Sequence, residues 1–164
     1  MKRIIKLKVN GTDEEVLIEP WWTLSRVLRD ELNLNGAKIG CETGDCGSCT
    51  ILVDGKTVKS CIYPAMKAIG KEILTIEGLE GKDGCLHPLQ EAFIAHFAVQ
   101  CGFCTPGMIL TAKALLDENP NPSETEIREA LIGNLCRCTG YVKVVEAILA
   151  AGEKMKQSRA KTQG

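Results

Sequence analysis

Apolar and charged residues alternate near the start of the chain, where Ile5, Leu7 and Val9 are separated by Lys6 and Lys8. A period of two predicts a strand with one face buried. Asn10-Gly11 follows, a pair that tolerates positive φ at both positions and so predicts a tight hairpin. Val16 to Glu19 is expected to return as a second strand, ended by Pro20. The period then changes. Leu24, Val27, Leu28 and Leu32 fall at helical spacing, with Thr23 placed to cap the first turn. Asn35 to Gly47 carries glycines at 36, 40, 44 and 47 and reads as a loop. Thr50 to Val53 and Lys56 to Ser60 flank Asp54-Gly55, a second hairpin signal, and Ile73 to Ile76 is expected to close this half as a short strand. Strands packed on one crossing helix predict a small α+β domain.

From residue 78 to 84 the run GLEGKDG interrupts all periodicity, and beyond it the pattern is helical. Leu89, Ala92, Phe93, His96 and Phe97 would share one helix face. A second helix is expected from Pro106 to Asp117. Ser123 and Glu126 form the S-x-x-E of a capping box opening a third, and a fourth is expected from Val142 to Lys154. The organisation read from these patterns is a first domain over 1–78, a linker over 79–84, an all-α domain over 85–156 and a flexible polar tail over 157–164.

Composition excludes several classes. The chain is 45% hydrophobic and 25% charged, an ordinary globular balance. Twenty Lys+Arg against 21 Asp+Glu leave a net charge of -1, without the basic footprint of a nucleic-acid binder. No apolar run approaches the ~20 residues of a membrane helix. The alternating N-terminus lacks the unbroken apolar stretch of a secretory signal, so a cytoplasmic location is the expectation.

Nine cysteines change the picture, because eight fall into two groups. Cys41, Cys46, Cys49 and Cys61 form the first; Cys101, Cys104, Cys136 and Cys138 form the second; Cys85 completes neither and reads as a free structural thiol. In a reducing compartment, grouped cysteines bind metal more often than they pair as disulfides. Each half is also of a size at which an apolar core alone is marginal, and a metal centre would couple binding to folding.

The first group spells C-x4-C-x2-C with the fourth cysteine beyond a hairpin, the spacing of plant-type ferredoxins. Three thiolates must converge from one tight loop, and glycines at 40, 44 and 47 let its backbone wrap closely and offer amide donors to a cluster. A structural zinc site is the alternative, although zinc ribbons favour paired C-x2-C knuckles. The second group, C-x2-C followed distantly by C-x-C, supports by spacing only a four-thiolate site, with zinc a serious competitor. Its surroundings, QCGFCTPGM and GNLCRCTGY, place the cysteines at helix junctions, where helix N-termini stabilise negative charge.

The runs GCETGDCGSCTILVDGK with Cys61, QCGFCTPGMIL and GNLCRCTGY resemble the iron–sulfur small subunit of the xanthine dehydrogenase family of molybdenum hydroxylases, over residues 3–151. The resemblance implies a β-grasp 2Fe-2S ferredoxin-like domain followed by a four-helix bundle, each holding one 2Fe-2S cluster. Cys41, Cys46, Cys49 and Cys61 would hold the cluster nearer a flavin, and Cys101, Cys104, Cys136 and Cys138 the one nearer molybdenum. Gln100 matches the position that hydrogen-bonds the molybdopterin, and Cys138 is expected beside the pterin. The implied role is a relay of single electrons between two partners in a dimer of heterotrimers. One is a molybdopterin-binding large subunit; the other is an FAD-binding medium subunit. Purines, aldehydes, N-heterocycles, carbon monoxide and CoA thioesters all remain open as substrates. A free-standing two-cluster ferredoxin and a zinc-stabilised interaction module are the competing readings.

Other residues have plainer expectations. His87 precedes Pro88 and reads as a helix cap or surface residue, His96 as core, and Arg137 as a solvated or interface residue between two cysteines. Trp21-Trp22 reads either as an interface anchor or as burial over the first helix. Ser48, where the family commonly has Ala, is too small a change to disturb the loop.

Overall fold

The computed structural model describes residues 1–81 and 84–162. Strands β1 (Arg3–Val9) and β2 (Thr12–Ile18) form the expected hairpin, with Asn10 and Gly11 at φ 52° and 82°. β2 starts earlier than the apolar pattern suggests, because Asp13, Glu14 and Glu15 pair through their backbones with Lys8, Leu7 and Lys6. Their carboxylates line a sheet edge, where charge discourages pairing with another chain. Strands β3 (Thr50–Val53) and β4 (Lys56–Lys59) form the second hairpin, and Asp54 and Gly55 again take positive φ. Strand β5 (Glu72–Leu74) lies between the hairpins, parallel to β1 and antiparallel to β3. The sheet order is β2-β1-β5-β3-β4.

The crossing helix is shorter and less regular than its periodicity predicts. α1 covers Leu24–Arg26 and continues over Val27–Glu31 as a wider π-turn that closes with Leu32 N–H bonded to the Val27 carbonyl. Thr23 occupies the cap position, but its side chain makes no cap bond. Leu24 and Ser25 donate instead to the carbonyls of Tyr63 and Ser60, so tertiary backbone contacts satisfy the open amides. Leu24, Val27 and Leu28 are buried with Ile5, Leu7, Ile18, Ile51 and Ile73 in the first core.

The second half holds α2 (Pro88–Ala95), α3 (Thr105–Glu118), α4 (Glu124–Ala130) and α5 (Val142–Thr162). The capping box at Ser123 forms as expected, with Ser123 N–H donating to Glu126 and Glu126 N–H returning to Ser123 Oγ. His87 caps α2: its Nδ1 accepts from Leu89 N–H at 3.2 Å, and its own amide donates to Gln90. α2 packs on α5, and α4 on both α3 and α5, around Leu89, Phe93, Met108, Ile127, Val144 and Ile148. α3 also packs on β3 and β4 and sends Leu110 into the sheet's core. The two halves therefore share a helix at their seam.

Several expectations are corrected. α2 ends at Ala95, and Phe97, in the left-handed region at φ 54°, is 83% exposed rather than on the buried face. His96 sits at the helix end, half-buried instead of in the core. The fourth helix continues past Lys154 to Thr162, through residues expected to fray; Lys154 pairs with Glu91 and Lys156 contacts Asn121. Of the expected linker and tail, residues 82–83 and 163–164 lie outside the described residues. β5 is displaced toward Glu72, and Ile76–Gly78 forms a 3-10 turn. A further 3-10 turn at Ala65–Ala68 has no counterpart in the sequence pattern. Among the described residues no helix is long and apolar enough to cross a membrane.

Candidate iron–sulfur sites

The first four cysteines sit on the long loop before β3 and just after β4. Left-handed backbone at Glu42, Gly44 and Gly47 turns the loop back on itself. That curl brings the amides of Thr43 and Cys46 to 3.5 and 3.4 Å from Cys41 Sγ. The Thr43 hydroxyl, with these amides, holds the Cys41 thiol down at about 6. Cys49 and Cys61 are buried, and burial together with their mutual contact pushes the Cys61 thiol up to about 12. A side chain at position 40 would press on Cys46 Sγ at 3.1 Å, so that glycine is where the loop needs the space. Ser48 is buried, with Oγ 3.6 Å from Cys46 Sγ.

The second four lie at helix junctions. Cys101 and Cys104 precede α3, with Cys104 at its cap, while Cys136 and Cys138 lie between the Leu131–Gly133 turn and α5. Cys101 Sγ and Cys138 Sγ are 3.6 Å apart and both residues are exposed. Cys104 and Cys136 are deeper; burial and contact with Cys136 push the Cys104 thiol up to about 12. At Cys136 burial works upward, but the hydroxyl and amide of Thr139, at 3.0 and 3.3 Å, prevail and lower it. Contact with Cys101 raises Cys138.

Each group is thus two pairs: Cys41 with Cys46 and Cys49 with Cys61, then Cys101 with Cys138 and Cys104 with Cys136. Among the described residues no three His, Cys, Asp or Glu side chains gather as they would around one ion. Paired thiols suit a binuclear centre, in which each iron takes two thiolates, better than a single tetrahedral zinc. Amide donors aimed at the sulfurs are the outer contacts such a centre uses.

The two groups are bound together by a seam that the sequence did not reveal. Asn134, 2% exposed, accepts from Thr111 Oγ1 at 2.9 Å and donates to the Gly47 carbonyl at 3.1 Å. Leu135 N–H donates to the Cys46 carbonyl at 2.8 Å. Lys59 Nζ donates to the Gly133 carbonyl at 2.6 Å and to Thr50 Oγ1 at 3.0 Å. Burial lowers the Lys59 ammonium, while the thiolates of Cys49, Cys46, Cys61 and Cys41 pull it the other way. Tyr141, at φ 68°, accepts from Cys136 N–H at 2.8 Å and donates to the Asn134 carbonyl at 3.1 Å. Asn134 and Tyr141 belong to the run GNLCRCTGY but carry no ligand chemistry, and Lys59 lies in an unremarkable polar strand.

Gln100 is exposed, and its side-chain amide donates to the Cys138 carbonyl at 3.2 Å. Arg137 is exposed between its two cysteines. Cys85 is exposed and free. Trp22 is buried beneath the Arg26 guanidinium, 4.1 Å from its ring centre, whereas Trp21 is 71% exposed. Trp22 thus takes the burial expected over the first helix.

A five-stranded sheet with three cysteines on its long loop and a fourth after β4, joined to a helical unit with four more, defines a two-domain 2Fe-2S protein. Residues 7–75 match the 2Fe-2S iron-sulfur cluster binding domain family, and residues 75–149 match the 2Fe-2S binding domain family. The chain is 51% identical over 147 residues to the nicotine 6-hydroxylase small subunit of Paenarthrobacter nicotinovorans, covering 90% of this chain and 88% of that one. It is 46% identical to the nicotinate dehydrogenase small FeS subunit of Eubacterium barkeri, over 93% and 97% of the two chains. Its fold matches the crystal structure of quinoline 2-oxidoreductase from Pseudomonas putida 86 with a TM-score of 0.90, at 46% identity over 95% of this chain and 97% of that one. The chain belongs to the family of small iron–sulfur subunits of the xanthine dehydrogenase-type molybdenum hydroxylases.

Proposed function

We propose that this chain is the electron-transfer subunit of a molybdenum hydroxylase. Residues 1–78 form the ferredoxin-like domain, in which Cys41, Cys46, Cys49 and Cys61 hold one 2Fe-2S cluster. Residues 85–156 form a four-helix bundle, in which Cys101, Cys104, Cys136 and Cys138 hold the second. Each cluster carries one electron at a time. Two in series split the pair released by substrate oxidation, or assemble one for the reverse direction.

The observation that carries the reading is the hydrogen bond from Leu135 N–H to the Cys46 carbonyl. It leaves one hydrogen bond and short covalent segments between Cys46 of the first group and Cys136 of the second. A relay, which has to pass electrons between the groups, has a use for such a short route.

The exposed end of the second group supports the expected partners. Cys101, Cys138 and Gln100 all reach the surface there, in keeping with a molybdopterin-bearing large subunit docking against them. Phe97, Ile132 and Leu135, in the segments flanking these residues, are exposed apolar side chains of the kind a protein–protein contact covers. FAD would lie on a medium subunit near the first group, the whole assembling as a dimer of heterotrimers. A reducing cytoplasmic setting suits eight thiolate ligands.

The test is isolation of the native complex through this chain, followed by analysis for molybdenum, iron, sulfide and zinc. About four irons with matching sulfide per chain, and molybdenum on a large partner, are expected. Zinc without sulfide overturns the reading. Iron without molybdenum or partner leaves the clusters but replaces the function with that of a free ferredoxin.

A further inference from the structure

Lys59 is the cation built into the seam between the two cysteine groups. It ends β4, two residues before Cys61, and reaches away from its own hairpin to the carbonyl of Gly133, which precedes Asn134, Leu135 and Cys136. A second bond, to Thr50 Oγ1, fixes the ammonium from the sheet side. Thr50 is itself tied to the Gly47 carbonyl at 2.7 Å. The ammonium lies close against Gly133: a Cβ there would stand 3.1 Å from Lys59 Nζ. Both bonds are to neutral oxygens. Among the described residues no carboxylate forms an ion pair with Lys59; it stands two residues before Cys61 and is bonded to Thr50, the residue after Cys49.

A fixed, half-buried positive charge acts on whatever negative charge gathers among the thiolates of the first group, in a medium that screens less than water. Each electron accepted by the first group's centre adds one negative charge there. The cation therefore favours the reduced form of that centre over its oxidised form. Beside the second group, the cation nearest in sequence, Arg137, is exposed and screened by solvent.

We infer that Lys59 is a positioning residue that raises the reduction potential of the N-terminal cluster. The charge makes that cluster a better electron acceptor than it would be without it, and the same side chain clamps the Gly133 loop that leads to the second group. This rests on the relay reading above.

The test uses the full chain with both clusters loaded, titrated potentiometrically and followed by EPR. The Cys136→Ser variant identifies the signal belonging to the N-terminal cluster. Lys59→Met is expected to weaken electron uptake at that signal about tenfold or more, a fall of about 59 mV for a one-electron couple, with a smaller change at the other. Lys59→Arg is expected to restore it, because the charge returns. If Lys59→Met fails to load, Lys59→Gln, which keeps a donor for Gly133 without the charge, takes its place. Potentials unmoved in the uncharged variant, or moved equally at both clusters, overturn the inference while leaving the relay intact. A chain that carries no iron overturns the relay itself.

Discussion

The amide of Leu135 and the carbonyl of Cys46 are hydrogen-bonded at 2.8 Å, joining the residue before Cys136 to a cysteine of the other group. Proline at 135 removes that donor while Asn134, already extended at φ -131° and ψ 103°, accommodates a following proline. Leu135→Pro is expected to keep both EPR signals, to cost about 1 kcal/mol of stability, and to slow electron exchange between the clusters. Rapid-freeze EPR after reduction checks this; an unchanged rate means that electrons take another path.

Asn134 is buried and uses both ends of its side chain across the seam. Asn134→Ala leaves the buried Thr111 hydroxyl without its acceptor and takes one donor from the Gly47 carbonyl, which keeps Thr50 N–H and Oγ1. Each group left unpaired costs about 1–3 kcal/mol. Denaturant unfolding of the loaded chain should show the loss, and stability equal to wild type would remove Asn134 from its place as the seam's main strut.

Gly47 and Gly55 have nearly the same φ, 73° and 75°, but different surroundings. A Cβ at Gly47 would lie 2.1 Å from the Gly133 carbonyl, whereas one at Gly55 meets nothing within 4 Å. Gly55→Ala should therefore cost only the left-handed backbone strain, about 1–2 kcal/mol. Gly47→Ala should force the two loops apart and lower the iron content of the purified chain. Equal effects of the two substitutions would show that strain, not the close approach, governs both.

Cys136 is half-buried, paired with Cys104 and bonded by Thr139. Cys136→Ser should abolish one of two 2Fe-2S EPR signals and spare the ferredoxin-like one, because the first group's four cysteines come from the sheet half. Loss of both signals from a folded chain would mean that the clusters assemble as one unit.

His87 accepts a hydrogen bond at Nδ1, which only the neutral ring can do, and burial, helped by Lys113, holds its pKa below the ordinary 6.5. The folded state thus disfavours the proton relative to the unfolded chain. Its contribution to stability is present above pH 6.5 and is lost as pH falls below that value. His87→Asn keeps a capping acceptor without the titration. The variant should lose less stability than wild type between about pH 7 and 5.5, as read by thermal unfolding; parallel curves would sink the assignment.

Much of this was legible in the chain. Asn10-Gly11 and Asp54-Gly55 announced both hairpins because positive φ is a property of those residues themselves. The Ser123 capping box and the His87 cap were likewise local. Phe97 misled because a helical pattern does not say where the helix stops, and α1 misled because its open amides are met by Ser60 and Tyr63, remote in sequence. Thr23, a sound cap on paper, was left without that task.

By itself the sequence determined which elements form and which cysteines belong together, since turn chemistry, periodicity and ligand spacing act over a few residues. It was silent on how the groups meet. Only the tertiary structure sorted eight cysteines into pairs, set Leu135 against Cys46, and carried Lys59 to Gly133. Those relationships depend on α3 packing on β3 and β4 and on glycines at 47 and 107, where a Cβ would meet the Gly133 and Gly47 carbonyls, letting the backbones touch. Contacts between distant segments are selected by packing and desolvation of the whole chain, and no local pattern records them.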